Sequence, residues 1–152
     1  MAPFVCSSSV LASPSTIWSR CLAPMTFEEW DDDVTSLEGI EKGLVQGGSY
    51  TFLMKTTSLR RIPIVVTSVI ENERMAYTGT ALLGLIRFKG LIEISSTSKA
   101  PDVSQIKYTF DMYGALGAII YYFQPHPAVH GTKTGLANLV RLSEEAQIAL
   151  RE

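Results

Sequence analysis

The sequence predicts a single α+β domain over residues 1–152, with a curved antiparallel sheet of about seven strands wrapped around one long C-terminal helix. An apolar segment at residues 4–12 is followed at once by two helix-start signals, which predict two short helices after the first strand. Residues 34–113 then form consecutive strand-length runs joined by short turns. Because a parallel crossover needs a dozen residues or more, these short connections favour antiparallel pairing.

Alternating side chains define the predicted strands. After residues 4–12, the runs lie at 34–37, 49–55, 63–70, 75–81, 86–95 and 105–113. Tyr50 and Phe52 alternate with Thr51, and similar alternation in later runs indicates one buried face and one exposed face. Gly79 and Gly90 fall inside strand patterns, which is typical of bulges or sharp coiling.

The two short helices carry separate start signals. Ser13 followed by Pro14 is an N-cap with proline in the first turn, and this helix is expected to end before Pro24. Thr26 and Glu29 match a capping box, in which each side chain bonds the backbone at the start of a second short helix.

The last third of the sequence is predicted to form an irregular segment followed by a helix. Residues 114–131 contain two prolines and two histidines, and we expect them to form a mobile gate at the mouth of a cavity. A long helix is predicted over residues 134–150. Its apolar stripe at helical spacing comprises Leu136, Leu139, Val140, Ser143, Ala146 and Leu150.

The composition limits the classes of partner. The chain is 46% apolar and only 18% charged, and this apolar surplus suits an internal cavity or an oligomer interface, so homodimer formation stays open. A net charge of −2 gives no reason to expect a nucleic-acid partner. The basic cluster of Arg60, Arg61, Arg87 and Lys89 is too sparse to follow a phosphate backbone.

The cysteines and the apolar runs suggest a cytoplasmic protein. Cys6 and Cys21 are too few for a disulfide framework and are expected to be buried or half-buried thiols in a reducing compartment. The first residues lack the basic segment of a secretory signal. No apolar run approaches 18 residues, so no stable membrane insertion is expected.

Four local motifs, taken in order, resemble the START-like superfamily of helix-grip proteins, which includes polyketide cyclase/dehydrase-like proteins. Residues 12–18 (ASPSTIW) resemble its strand-to-helix entry, and residues 30–34 (WDDDV) its approach to the second strand. Residues 47–50 (GGSY) resemble the opening of its third strand, and residues 135–146 its closing helix. The resemblance implies one START-like ligand-binding domain whose sheet and long helix enclose a cavity for lipids, polyketides or other apolar molecules. It implies no shared catalytic set.

Metal and nucleotide sites are not indicated. The sequence has no phosphate-binding loop, dinucleotide fingerprint or metal motif, so neither a metal nor another cofactor is expected. Prolines flank His126, so no helical metal pair with His130 is expected. The run Asp31, Asp32 and Asp33 is interpreted as a solvated turn.

The candidate site residues are those that the strand phases turn inward, together with the two histidines. The proposed catalytic groups are three phenols, which need hydrogen-bond partners when buried, and two imidazoles, which titrate near neutrality; they are Tyr50, Tyr77, Tyr108, His126 and His130. The proposed substrate-binding residues are apolar or aromatic and are Trp30, Phe52, Met54, Phe88, Phe110, Met112 and Leu139.

Two functions fit this pattern. The first, which the resemblance favours, is a cofactor-independent enzyme that assists cyclisation, dehydration or isomerisation of a hydrophobic biosynthetic intermediate, as polyketide cyclases do. The alternative is a non-catalytic carrier or sensor of a lipid or other hydrophobic small molecule, for which an apolar cavity suffices.

Overall fold

The computed structural model describes residues 3–55, 59–97, 99–123 and 126–152, without the His126 side chain. In chain order the strands are β1 (Phe4–Val10), β2 (Val34–Glu38), β3 (Ser49–Met54), β4 (Arg61–Ile70), β5 (Arg74–Ala81), β6 (Ile86–Thr97) and β7 (Ala100–Tyr113). The α-helices are α1 (Pro14–Ile17), α2 (Phe27–Trp30), α3 (Gly117–Phe123) and α4 (His126–Arg151).

The seven strands form one antiparallel sheet in the order β1-β7-β6-β5-β4-β3-β2. Consecutive strands pair from β2 to β7, and β1 closes the other edge by pairing with β7. The curved sheet, the short helices after β1 and the long C-terminal helix confirm the predicted α+β architecture, and the arrangement fits a helix-grip-like fold.

The first short helix begins as predicted, whereas the capping box is wrong. The Ser13 hydroxyl accepts a hydrogen bond from Thr16 N at 3.2 Å, and α1 continues into a π-helical turn at Trp18–Leu22. Thr26 does not cap α2; its hydroxyl donates to the Cys21 carbonyl instead. Glu29 forms an ion pair with Arg20 at 2.6 Å.

The irregular backbone predicted for residues 114–131 is also wrong over residues 117–123 and 126–131. Residues 117–123 form α3, and α4 begins at His126 rather than at residue 134. Pro127 is compatible with this early start because the N–H groups in the first turn of a helix have no intrahelical acceptor, so the N–H that proline lacks is not needed there. The helix therefore supplies a regular wall where the sequence predicted irregular backbone, and the mobility of this segment stays a prediction.

The buried stripe of α4 is shifted at its end. Leu136, Leu139 and Ser143 are buried as predicted, but Leu150 is exposed. Gln147 is buried in the last turns because its side-chain oxygen accepts hydrogen bonds from Ser13 N and from the Thr16 hydroxyl. A polar residue thus ties α4 to α1.

The two cysteines are free thiols, Cys6 half-buried and Cys21 buried, as predicted. Within the described part of the chain, no helix has both the length and the apolar content needed to cross a bilayer. A homodimer stays a prediction.

Candidate functional site

A cavity of about 350 Å³ lies between the inner face of the sheet and the first turns of α4. The sheet contributes side chains from β3 to β7, and the helix contributes residues between Pro127 and Thr132. The corner between α2 and β2 closes one side with Asp31, Asp33 and Val34. A volume of this size falls within the range of small-molecule sites.

Seven of the predicted site residues line this cavity. They share the inward phase of β3, β5, β6 and β7 and are Phe52, Met54, Tyr77, Phe88, Tyr108, Phe110 and Met112. Their aromatic rings contact one another, as with Phe88 stacked on Phe110 at a centroid separation of 6.2 Å. The strand alternation therefore places an aromatic wall on the inner face of the sheet.

Two phenols form the main polar feature of that wall. The hydroxyls of Tyr77 on β5 and Tyr108 on β7 lie 3.0 Å apart and are buried. Strand β6 runs between them, and Tyr77 pairs with Gly90 of that strand. A Cβ built at Gly90 would overlap the Tyr77 ring, so the glycine provides the space through which this ring crosses β6.

Gly79 similarly accommodates Phe88, and β5 and β6 pair without a bulge at either glycine. Of the two expectations for these glycines, the bulges are therefore wrong, and sharp coiling of the sheet stays a prediction.

Both phenols stay protonated at neutral pH. Burial is the main cause that raises the pKa of Tyr77 and the pKa of Tyr108, and the Asp31 carboxylate adds to both shifts. Each hydroxyl has one proton, and the mutual hydrogen bond uses only one of the two. The pair can therefore offer one O–H to an oxygen atom of a ligand.

Replacing Gly90 by alanine is expected to disturb this pair. The added methyl group displaces the Tyr77 ring, and overpacking of this kind typically costs about 1–3 kcal/mol. Denaturant unfolding measures the loss of stability, and a crystal structure shows the Tyr77–Tyr108 separation. Gly43 has open space around it, but its φ of +75° is a conformation that alanine rarely adopts, so Gly43→Ala would be strained and is unsuitable as a control. Ala76 faces away from Tyr77 on the same strand, and Ala76→Ser is the better control. A stable Gly90→Ala variant with an unchanged pair would contradict the role assigned to this glycine.

The α2–β2 corner contributes a carboxyl group that the sequence pattern assigned to solvent. Asp31 N donates to the Phe27 carbonyl at 2.7 Å, and the Asp31 carbonyl accepts from Val34 N at 3.1 Å. The Asp31 side chain accepts from Asp33 N at 3.0 Å, which fixes its orientation. Asp31 is half-buried and Asp32 and Asp33 are exposed, so the solvated-turn interpretation fails for Asp31. Its position directly after a buried tryptophan is the only sequence signal for this placement.

The pKa of the Asp31 carboxyl group is shifted towards neutral pH. Burial is the main cause that raises its pKa from 3.8 to about 6, and the neighbouring carboxylates of Asp33 and Asp32 raise it further. The Asp33 backbone N–H and Lys55 act in the opposite direction. A carboxyl group with this pKa can accept and return a proton near pH 7.

Tyr50 does not join the cavity. Its phenol is buried, but it donates to the Gly43 carbonyl and accepts from Val45 N at 3.2 Å. These partners belong to the loop before β3 and satisfy the hydroxyl. Tyr50 therefore secures that loop.

Trp30 and Leu139 also lie outside the cavity lining. Both are fully buried. The Trp30 ring packs against Phe27 and Tyr108, with centroid separations of 4.5 Å and 6.2 Å, and so supports the lining from behind. His130 lies on the exposed side of α4 and does not line the cavity, and the His126 side chain falls outside the described residues.

The arrangement combines a largely apolar chamber with four protonatable groups on its wall, the phenols of Tyr77 and Tyr108 and the carboxyl groups of Asp31 and Asp33. The phenols of Tyr77 and Tyr108 can donate a hydrogen bond, and the carboxyl group of Asp31 can exchange a proton. Among the described residues, no three His, Cys, Asp or Glu side chains are grouped as a metal site would require.

Comparisons with known proteins support the fold only. No family model matches the chain, and no curated protein matches it in sequence. Among solved structures, a conserved protein from Geobacillus kaustophilus is 15% identical over 92% of this chain and 93% of its own, with a TM-score of 0.66. A protein from Helicobacter pylori is 13% identical over 91% of this chain and 86% of its own, with a TM-score of 0.70.

A third similar structure is DynU16, a protein from the dynemicin biosynthetic locus. It is 14% identical, and the match covers 97% of this chain and 49% of that chain, with a TM-score of 0.67. At identities this low, the TM-scores establish a shared fold and nothing more.

Proposed function

We propose that the protein is a cofactor-independent enzyme that binds a hydrophobic small molecule in the cavity and assists its cyclisation, dehydration or isomerisation. The observation that carries the proposal is the buried Tyr77–Tyr108 pair on the wall of an otherwise largely apolar chamber. A pair of phenols with one O–H to spare selects a ligand that has an oxygen acceptor, such as a carbonyl group.

Two further observations support catalysis. The cavity also holds Asp31, whose pKa of about 6 suits proton transfer. DynU16, which shares the fold, is encoded in a biosynthetic locus. Apolar surroundings strengthen hydrogen bonds from the buried phenols to charge that develops on a substrate oxygen.

The alternative is a carrier or sensor of a hydrophobic small molecule. The predominance of aromatic and aliphatic residues in the lining favours it, because binding alone needs few polar groups. A search for copurifying ligands by native mass spectrometry separates the two functions. A carrier returns its ligand chemically unchanged, whereas an enzyme converts it. His126 and His130 remain candidates for proton transfer, and alanine variants at both positions test them by turnover.

The phenol pair is expected to recognise a ligand oxygen. With 2-tetralone as the probe, Tyr77→Phe or Tyr108→Phe should each weaken binding about 2- to 13-fold, which corresponds to about 0.5–1.5 kcal/mol for one hydrogen bond. Tetralin has the same ring system without the carbonyl group, and its affinity should stay unchanged in both variants. Titrations followed by NMR measure the dissociation constants.

Tyr122→Phe is the matched control, because this phenol is 69% exposed on α3 and lies outside the cavity lining. Equal losses of affinity for tetralin and 2-tetralone would indicate a packing defect in the Tyr77 or Tyr108 variant. Unchanged affinity for 2-tetralone in both variants would contradict the assigned recognition of oxygen.

A further inference from the structure

The cavity places a carboxyl group and a hydrogen-bond donor pair around one space. Asp31 at the α2–β2 corner and the phenols of Tyr77 and Tyr108 on the sheet all line it. The Asp31 carboxylate is close enough to influence the ionisation of both phenols. A ligand in the cavity can therefore contact an acceptor of protons and a donor of hydrogen bonds together.

The three groups have different chemical capacities. The phenols keep their protons at neutral pH, because burial raises the pKa of each, so they act as donors and not as bases. Asp31 is ionised above its pKa of about 6 and is a stronger base than an ordinary aspartate. Its side chain is held at 3.0 Å by Asp33 N, so the carboxylate has a fixed position.

We propose that Asp31 is the proton-transferring residue of this cavity and that its substrates are enolisable carbonyl compounds whose oxygen binds at the Tyr77–Tyr108 pair. The proposal rests on the proposed function and narrows it to proton transfer at carbon. It requires no oxidant, reductant or co-reactant.

The reaction balances within the substrate and Asp31. The carboxylate takes a proton from the carbon next to the carbonyl group, and the C–H electron pair becomes the C=C bond of an enolate. The carbonyl π pair moves to oxygen, where the phenol O–H stabilises the charge. The Asp31 carboxyl group then returns the proton, either to the same carbon or to a conjugated carbon, and the second outcome shifts a double bond.

The groups around Asp31 determine its pH dependence. Asp32 and Asp33 follow it directly in the chain, Lys55 follows β3, and the two phenols belong to β5 and β7. The α4 residues in the lining are Pro127, Ala128, Gly131 and Thr132, and none of these has a charged side chain. The base form of Asp31 should therefore accumulate as the pH rises through about 6.

The test is deuterium exchange at C1 of 2-tetralone in D₂O, followed by NMR with the full-length protein. The wild type should accelerate this exchange above the rate in buffer, and the rate should rise through pH 6 to a plateau. Asp31→Asn keeps the size of the side chain and should lower the protein-dependent rate about 10²-fold at pH 7 while 2-tetralone still binds. Glu28→Gln should exchange at the wild-type rate, because Glu28 is exposed on α2, lies outside the lining and is not among the charges that shift the pKa of Asp31.

The other outcomes contradict either the role of Asp31 as the base or the proposed function as a whole. If 2-tetralone binds to the wild type without accelerated exchange, or if Asp31→Asn lowers the rate less than about tenfold, Asp31 is not the base. A wild-type rate that is flat across pH 6 also excludes Asp31 as the base, without any variant. If 2-tetralone does not bind at all, the proposed function itself fails.

Discussion

Trp30→Ala is expected to lower the free energy of unfolding by about 3–5 kcal/mol, the usual cost of truncating a large buried aromatic side chain. The Trp30 side chain is fully buried between Phe27 and Tyr108, and Gly135 of α4 lies directly against its six-membered ring. The Asn138 amide of α4 donates to the Trp30 carbonyl at 3.0 Å, which holds this helix beside the ring and opposes its collapse into the space that alanine would leave.

Denaturant unfolding checks this result, with Tyr122→Ala as the control. Tyr122 is 69% exposed, so its truncation should change stability by no more than about 0.5 kcal/mol. Among the described residues, the Trp30 indole Nε1 is buried without a hydrogen-bond partner, so the expected loss is one of packing. Trp30→Phe should therefore recover part of it. If the unfolding midpoint of Trp30→Ala equals that of the wild type, Trp30 does not pack in the core as described.

The strands and the aromatic wall could be predicted because their signal is local. A period of two assigns Phe52, Tyr77, Phe88 and Tyr108 to one face, and the structure places all four in the cavity lining. Tyr50 has the same phase but lies next to a loop, and its partner is the Gly43 carbonyl. The alternation fixes which face a side chain occupies and carries no information about which end of the sheet the cavity reaches.

The features that the sequence did not predict depend on contacts distant in the chain. Asp31 sits in a run of three aspartates that has the same composition as a solvated turn, and its partial burial arises in a cavity that it lines together with α4 residues about 100 positions later. Pro127 can end a helix or occupy its first turn, and the choice depends on whether the preceding residues have a surface to pack on. Gln147 could not be identified as buried because its partners, Ser13 and Thr16, lie at the other end of the sequence.

Asp31→Asn is expected to stabilise the protein, and the gain should grow with pH. The folded state raises the pKa of Asp31 from 3.8 to about 6, so folding retains a proton that the unfolded chain releases. Wild-type stability from this group is fully present below the unfolded pKa and is lost as the pH rises through about 6. At about 1.4 kcal/mol per pKa unit, the full penalty above pH 7 is about 3 kcal/mol, and partial exposure to solvent reduces it to about 1–3 kcal/mol.

The asparagine variant cannot ionise and still offers an oxygen to Asp33 N, so it avoids this penalty. Urea unfolding at pH 4 and pH 8 should show similar midpoints for the two proteins at pH 4 and a clear gain for Asp31→Asn at pH 8. Glu28→Gln, at an exposed position of α2 that does not influence the pKa of Asp31, should show no such pH-dependent gain. A wild type as stable as Asp31→Asn at pH 8 would mean that the carboxylate is well solvated, and Asp31 would then lack the raised basicity that proton transfer from carbon requires.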